Sequence, residues 1–205
     1  MLVRRCLLVE GLLSIRVCRR GRYHLVVPPA VPDAFRSDWS RLWTLAERIA
    51  PGVDHAGYTF GEPIGLFLED PGALGHDGGY RSSPANGTMF ASTGGDGVHF
   101  SVLDSSGAVV MTVPMAFRRP NLIVAEGMPE FLALGCRVGY FALEELIYRR
   151  SWAVEWIAAA GPPKESTSGR FLSAIIEEFA LRPWQSIEQR LAELEASHAR
   201  RIRLA

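Results

Sequence analysis

Lysine is almost missing from this 205-residue chain: Lys164 is the only one, and nearly all positive charge is arginine. A GC-rich coding bias explains that as readily as a demand for bidentate recognition, so it identifies no ligand. Neither sign of charge is in excess, with Lys+Arg and Asp+Glu at 22 each. The chain therefore has no overall positive field to supply affinity for nucleic acid, and none is expected as a partner. Cysteine is scarce and odd in number. Cys6, Cys18 and Cys136 stand far apart without a C-x-x-C pair, which indicates neither a disulfide framework nor a zinc site and fits a reducing cytoplasm. Internal repeats and low-complexity tracts are also lacking. The N-terminal "MLVRRCLLVEGLLSIRVCRRGR" imitates a secretory signal, with Arg4 and Arg5 ahead of an apolar run, but Glu10 splits that run and Arg16 ends it. The run is too short to span a bilayer, and no membrane partner is expected. Residues 1–22 read as an extension that is frayed or forms a strand.

What remains is a folding composition, 48% hydrophobic and 21% charged, far from the signature of disorder. "YHLVVPPAVP" (23–32) reads as a short strand stopped by prolines. From Ser37, a candidate N-cap, Trp39, Leu42, Trp43, Ala46 and Ile49 recur at helical spacing, which predicts a helix with both tryptophans facing the core. Residues 53–87 are rich in glycine and proline, with "IGLFLE" (64–69) as a candidate strand. Residues 88–125 read as a meander: "TMFAS", a glycine turn, "GVHFSVLD", the turn "SSG", "AVVMTV", the loop "PMAFRRP" and "NLIVAE". Alternation puts Val98, Phe100 and Val102 on one face and His99, Ser101 and Leu103 on the other. Helical spacing returns with Phe131, Leu132 and Leu134, then Leu143, Leu146 and Ile147, with Trp152 and Trp156 extending the second segment. After the break "GPPKESTSG" (161–169), two further helices are expected, over 171–181 and from Ser186, where Ser186 and Gln189 have the spacing of a capping box.

The stretch "STGGDGVH" (92–99) holds residue types that could do chemistry. Ser92, Asp96 and His99 are the nucleophile, orienter and base of a triad, but three residues crowded round one turn seldom align with an oxyanion hole. A hairpin turn is the simpler reading. Gly94, Gly95 and Gly97 permit unusual backbone angles, and Asp96 can accept hydrogen bonds from the turn's own amides. A metal site would gather His76, Asp77, Asp96 and His99, with His55 in reserve, yet no H-x-x-x-H, H-E-x-x-H or H-x-H spacing is present. "GEPIG" and "GDG" lack the strand and helix flanks of a phosphate-binding fingerprint, so no cofactor is expected. For protein recognition the loop 70–86 offers Asp70, His76, Asp77, Tyr80 and Arg81 among glycines, and "FRRP" (117–120) offers Arg118 and Arg119. His99 joins these as a candidate contact. At the C-terminal end Arg200, Arg201 and Arg203 suit a helix terminus, where the dipole favours cations.

The order strand, glycine turn with an aspartate, strand, turn, two strands, then "MPEFLALG" leading a helix resembles the SMI1/KNR4 (SUKH) superfamily. The matching residues are Thr93, Gly94, Gly95, Asp96 and Gly97 for the turn, and Phe131, Leu132 and Leu134 for the helix; the resemblance covers about residues 88–134. It implies an α+β fold, a mostly antiparallel sheet flanked by helices, with a helical C-terminal extension. The expected organisation is the extension 1–22, the domain 23–160 and the helical extension 161–205. For most bacterial members the resemblance implies an immunity protein that binds and neutralises a toxin stoichiometrically, without catalysis. A metal-dependent hydrolase using His76, Asp77, Asp96 and His99, and a regulatory interaction module without chemistry, are the alternatives. Oligomeric state is left open.

Overall fold

The computed structural model describes residues 14–17, 23–26, 30–73, 78–104 and 106–204. Strands β1 (Ser14–Val17) and β2 (Tyr23–Val26) pair antiparallel, Ser14 opposite Val26. Helix α1 (Asp33–Ile49) begins four residues before Ser37, because Pro32, with φ −57° and ψ 139°, takes the N-cap position without a side-chain bond. Trp39 is buried as its spacing predicts and donates from Nε1 to the Glu69 carbonyl at 2.9 Å. Trp43 instead lies at the core's margin, its Nε1 held by Glu47 at 2.9 Å.

A short 3-10 turn (Ala56–Tyr58) and α2 (Gly61–Ile64) lead into the sheet. Its strands are β3 (Phe67–Leu68), β4 (Gly87–Ser92), β5 (His99–Leu103), β6 (Val109–Thr112) and β7 (Asn121–Ala125), all antiparallel neighbours in chain order. The four-strand meander follows the sequence closely, since β-rich runs between glycine turns pair with their nearest neighbours at little entropic cost. "IGLFLE" supplies only the two residues of β3.

Then come α3 (Met128–Gly135), a 3-10 turn (Phe141–Glu144), α4 (Glu145–Tyr148), α5 (Arg150–Ala159), α6 (Thr167–Phe179) and α7 (Ile187–His198). The helix expected from Leu143 to Trp156 is broken at Arg149, whose φ −142° and ψ 56° are not helical. The class is α+β.

Both faces of the sheet are covered. Phe90, Phe100, Val102, Met111 and Val124 pack on the first face with Phe35, Trp39 and Leu42 of α1 and Phe131 of α3, in one core that also takes Leu172 and Ile175 of α6 and Leu191 of α7. On the second face Leu103, Val110 and Ile123 meet Leu194 of α7. Of the two helices after Gly161, α7 thus packs onto the sheet, while α6 joins the core alongside α1, α2 and α3. The chain's end is tied down as well: the Ala85 amide donates to the Arg203 carbonyl, and Asn86 bridges Asp104 and Arg201. No helix among the described residues is long and apolar enough to cross a membrane.

Candidate interaction surface at the hairpin-turn end

A meander turns at alternate ends, so the β4–β5 turn and the β6–β7 loop share one end of the sheet, with α2 at the start of β3 beside them. The β4–β5 turn is closed by its own side chains. Thr93 Oγ1 and the Val98 amide both donate to Asp96 Oδ1, at 2.9 and 3.0 Å, and the Thr93 amide donates to the Val98 carbonyl at 3.0 Å. Gly94 and Gly97, at φ +110° and +80°, occupy backbone conformations that side chains disfavour. At Gly97 there is a second requirement: a Cβ there would collide with the Tyr80 hydroxyl. The hairpin reading of "STGGDG" accounts for these residues.

His99 requires a correction. Alternation places it on the second face as expected, but that face is roofed by the returning connection, and His99 is 1% exposed. Its Nδ1 donates to the Gly97 carbonyl at 2.8 Å, its Nε2 meets Ser83 Oγ at 3.0 Å, and Tyr80 stacks on its ring at 5.8 Å between centroids. It is therefore an anchor for the connection, not a partner contact. The triad arrangement fails on the same geometry, because Asp96 serves the turn and the His99 Nδ1 proton is directed to a backbone carbonyl.

The other candidates divide. Tyr80 and the turn 93–97 come together, with Arg81 exposed beside Tyr80. Asp70 lies at the sheet's opposite end, where its Oδ1 accepts from the Gly72 amide at 2.7 Å. Arg118 and Arg119 lie on the β6–β7 loop at the turn end, but Arg119 is engaged by Glu195. Glu195 also holds Arg150 at 3.0 Å, which brings the start of α5 beside that loop. His76 and Asp77 lie outside the described residues. Among the described residues no three His, Cys, Asp or Glu side chains group as metal ligands, and the His55 ring lies against those of Trp43 and Tyr58.

Several residues at this end were missed by the sequence reading. Phe67 faces Gly94 on one side and pairs with the Tyr58 ring at 6.0 Å on the other. Phe141 lies against Gly65, and Tyr148 and Glu144 stand within the electrostatic reach of Asp96. Burial, then the neighbouring charges of Asp96 and Glu145, push the Glu144 carboxyl above its ordinary value. The missed signal was an aromatic off the stripe: Phe141 and Tyr148 flank the buried positions Leu143 and Leu146 and are themselves exposed.

No family model, curated protein or solved structure matches this chain. The surface has to be read from its own chemistry. Tyr58, Tyr80, Met115, Phe117, Phe141 and Tyr148, all at this end, are six of the nine large apolar or aromatic side chains that are exposed among the described residues. Phe117 is 83% exposed, at the tip of the β6–β7 loop.

Proposed function

We propose that this chain is a protein-binding domain of the SMI1/KNR4 type that acts in the bacterial cytoplasm as an immunity protein, neutralising a toxin by stoichiometric binding. The observation that carries this reading is the concentration of exposed rings at the turn end. Single exposed apolar residues are ordinary, whereas a set gathered on one end of a fold marks a contact surface, and aromatic side chains supply most binding energy in such surfaces. The turn Thr93–Gly97, on which the family resemblance rests, stands in their midst. Asp96 Oδ1 and Thr93 Oγ1 are spent on closing the turn, and His99 beside it is buried, which favours recognition over catalysis.

The test is to purify the protein with the toxin encoded beside its gene. The expected result is a one-to-one complex in which the toxin is inactive, weakened about tenfold or more by Tyr148→Ala together with Phe141→Ala. Failure to form a complex with that toxin would overturn the reading.

A further inference from the structure

The segment between α5 and α6 walls a cleft whose charged side chains are all of one sign. We propose that this cleft binds a small phosphate monoester carried on a flat ring system, of the size of a mononucleotide. It shares no lining residue with the turn end, so the two sites are independent.

The cleft has a volume of about 520 Å³, which is in the range of small-molecule sites. Arg137, which follows α3, and Lys164, from the α5–α6 segment, both line it, and no carboxylate does. Neither cation has an ion-pair partner among the described residues. Glu165, next to Lys164, lines a separate groove with Thr167 and Arg170, and Glu155, next to Trp156, lines neither. Lys164 is the only lysine of the chain, and its backbone is held in place: its carbonyl accepts from the Ser166 amide at 2.8 Å and lies so close to Gly169 that a Cβ there would collide with it. Arg137 is half-buried and donates from Nη1 to the Ala158 carbonyl at 3.4 Å, which leaves its other N–H groups for a ligand. Ser166 Oγ, on the same wall, accepts from the Gly169 amide at 3.0 Å and keeps its own proton to donate.

Two uncompensated cations match a phosphate monoester, whose charge at pH 7 is about −1.5 to −2; a carboxylate would leave one of them over. The ring follows from the aromatic wall. Trp156 lines the cleft with its indole held by Trp152, stacked on it at 5.7 Å between centroids and 4° between planes, and Val138 and Leu172 add apolar surface. Such a wall receives a flat ring at little ordering cost.

The probe is AMP, beside adenosine, which has the ring without the phosphate, and inorganic phosphate, which has the reverse. Binding is followed by the Trp156 indole N–H signal in nitrogen–proton correlation spectra, identified by its loss in Trp156→Phe. AMP is expected to shift that signal saturably, and adenosine and phosphate to bind about tenfold or more weakly. Lys164→Gln should weaken AMP about tenfold, Lys164→Arg should keep its affinity, and Arg182→Gln, an equal charge change on the exposed connection after α6, should change nothing. Arg137→Gln should weaken AMP as well, but it also breaks the bond to Ala158, so exposed Lys164 is the deciding position. No saturable shift with AMP, or full affinity in Lys164→Gln, would overturn the proposal. Adenosine binding as tightly as AMP would show an apolar cleft that ignores the cations, and phosphate binding as tightly would show an adventitious ion only; either result removes the site as assigned.

Discussion

Among the described residues His99 holds two hydrogen bonds, and the partner fixes the sense of one of them. A carbonyl only accepts, so Nδ1 carries a proton toward Gly97, while Nε2 lies 3.0 Å from Ser83 Oγ. Nitrogen NMR should therefore find Nδ1 protonated. His99→Ala would leave a void under Tyr80 and strand both the Gly97 carbonyl and the Ser83 hydroxyl, at a cost of about 2–4 kcal/mol in urea unfolding. An exposed histidine would cost less than about 0.5 kcal/mol, so a small change would show the connection is not anchored there. Glu144 has the opposite sign. Its folded-state pKa is raised, so it opposes folding where it is ionised, and that opposition fades as pH falls through the raised value toward the unfolded one. Glu144→Gln should accordingly stabilise the protein at neutral pH by a few tenths of a kcal/mol, the effect being screened by solvent, and the gain should vanish near pH ~4. Destabilisation at pH 7 would contradict a carboxyl that burial, then neighbouring charge, holds above its ordinary value.

Two serines at helix starts show where element-scale reading works and fails. Ser186 and Gln189 have the spacing of a capping box, but Ser186 at φ −127° and ψ 74° makes no cap bond, and Gln189 reaches forward to Glu193 at 2.9 Å. Ser166, at φ −146° and ψ 171°, is extended as a cap must be and accepts from the Gly169 amide at 3.0 Å. Ser166→Ala should cost about 1 kcal/mol in chemical unfolding and Ser186→Ala only a few tenths. Equal losses would mean that spacing, not backbone geometry, decides the cap. The same division runs through the whole chain. Strands β4 to β7 were legible because alternation, glycine turns and neighbour pairing are local. The face of His99 was legible for that reason, but its burial was not, since its cover comes from Gly78, Tyr80 and Ser83. The turn was readable as a turn, whereas Phe67, Phe141 and Glu144 join it only through the fold.

At the scale of the molecule, α7 closes the second face, and its attachment is partly ionic. Leu194 meets Leu103, Val110 and Ile123 beneath it. Around that contact Arg190 reaches Glu126 at the end of β7, Glu130 of α3 and Glu193 of its own helix, while His198 Nε2 meets Glu126 Oε1 at 3.2 Å. Hydrogen bonds from His198, then from Arg190, hold the Glu126 carboxyl below its ordinary value. A depressed carboxylate contributes stability that is present above the unfolded pKa, about 4.3, and is lost as pH falls through the folded value. The His198 end is the weaker one, because its Nδ1 is buried with no hydrogen-bond partner among the described residues. Acid should therefore release α7 before the sheet. Amide exchange, corrected for intrinsic rates, should show protection in Leu191–His198 falling below pH ~4 while β5 and β6 stay protected by the first-face core. Arg190→Gln should lower protection of α7 at neutral pH and flatten its dependence on pH, because Glu126 and Glu130 lose the cation they share. Simultaneous loss of protection in α7 and β5 at every pH, in both proteins, would show instead that α7 and the sheet unfold as one cooperative unit.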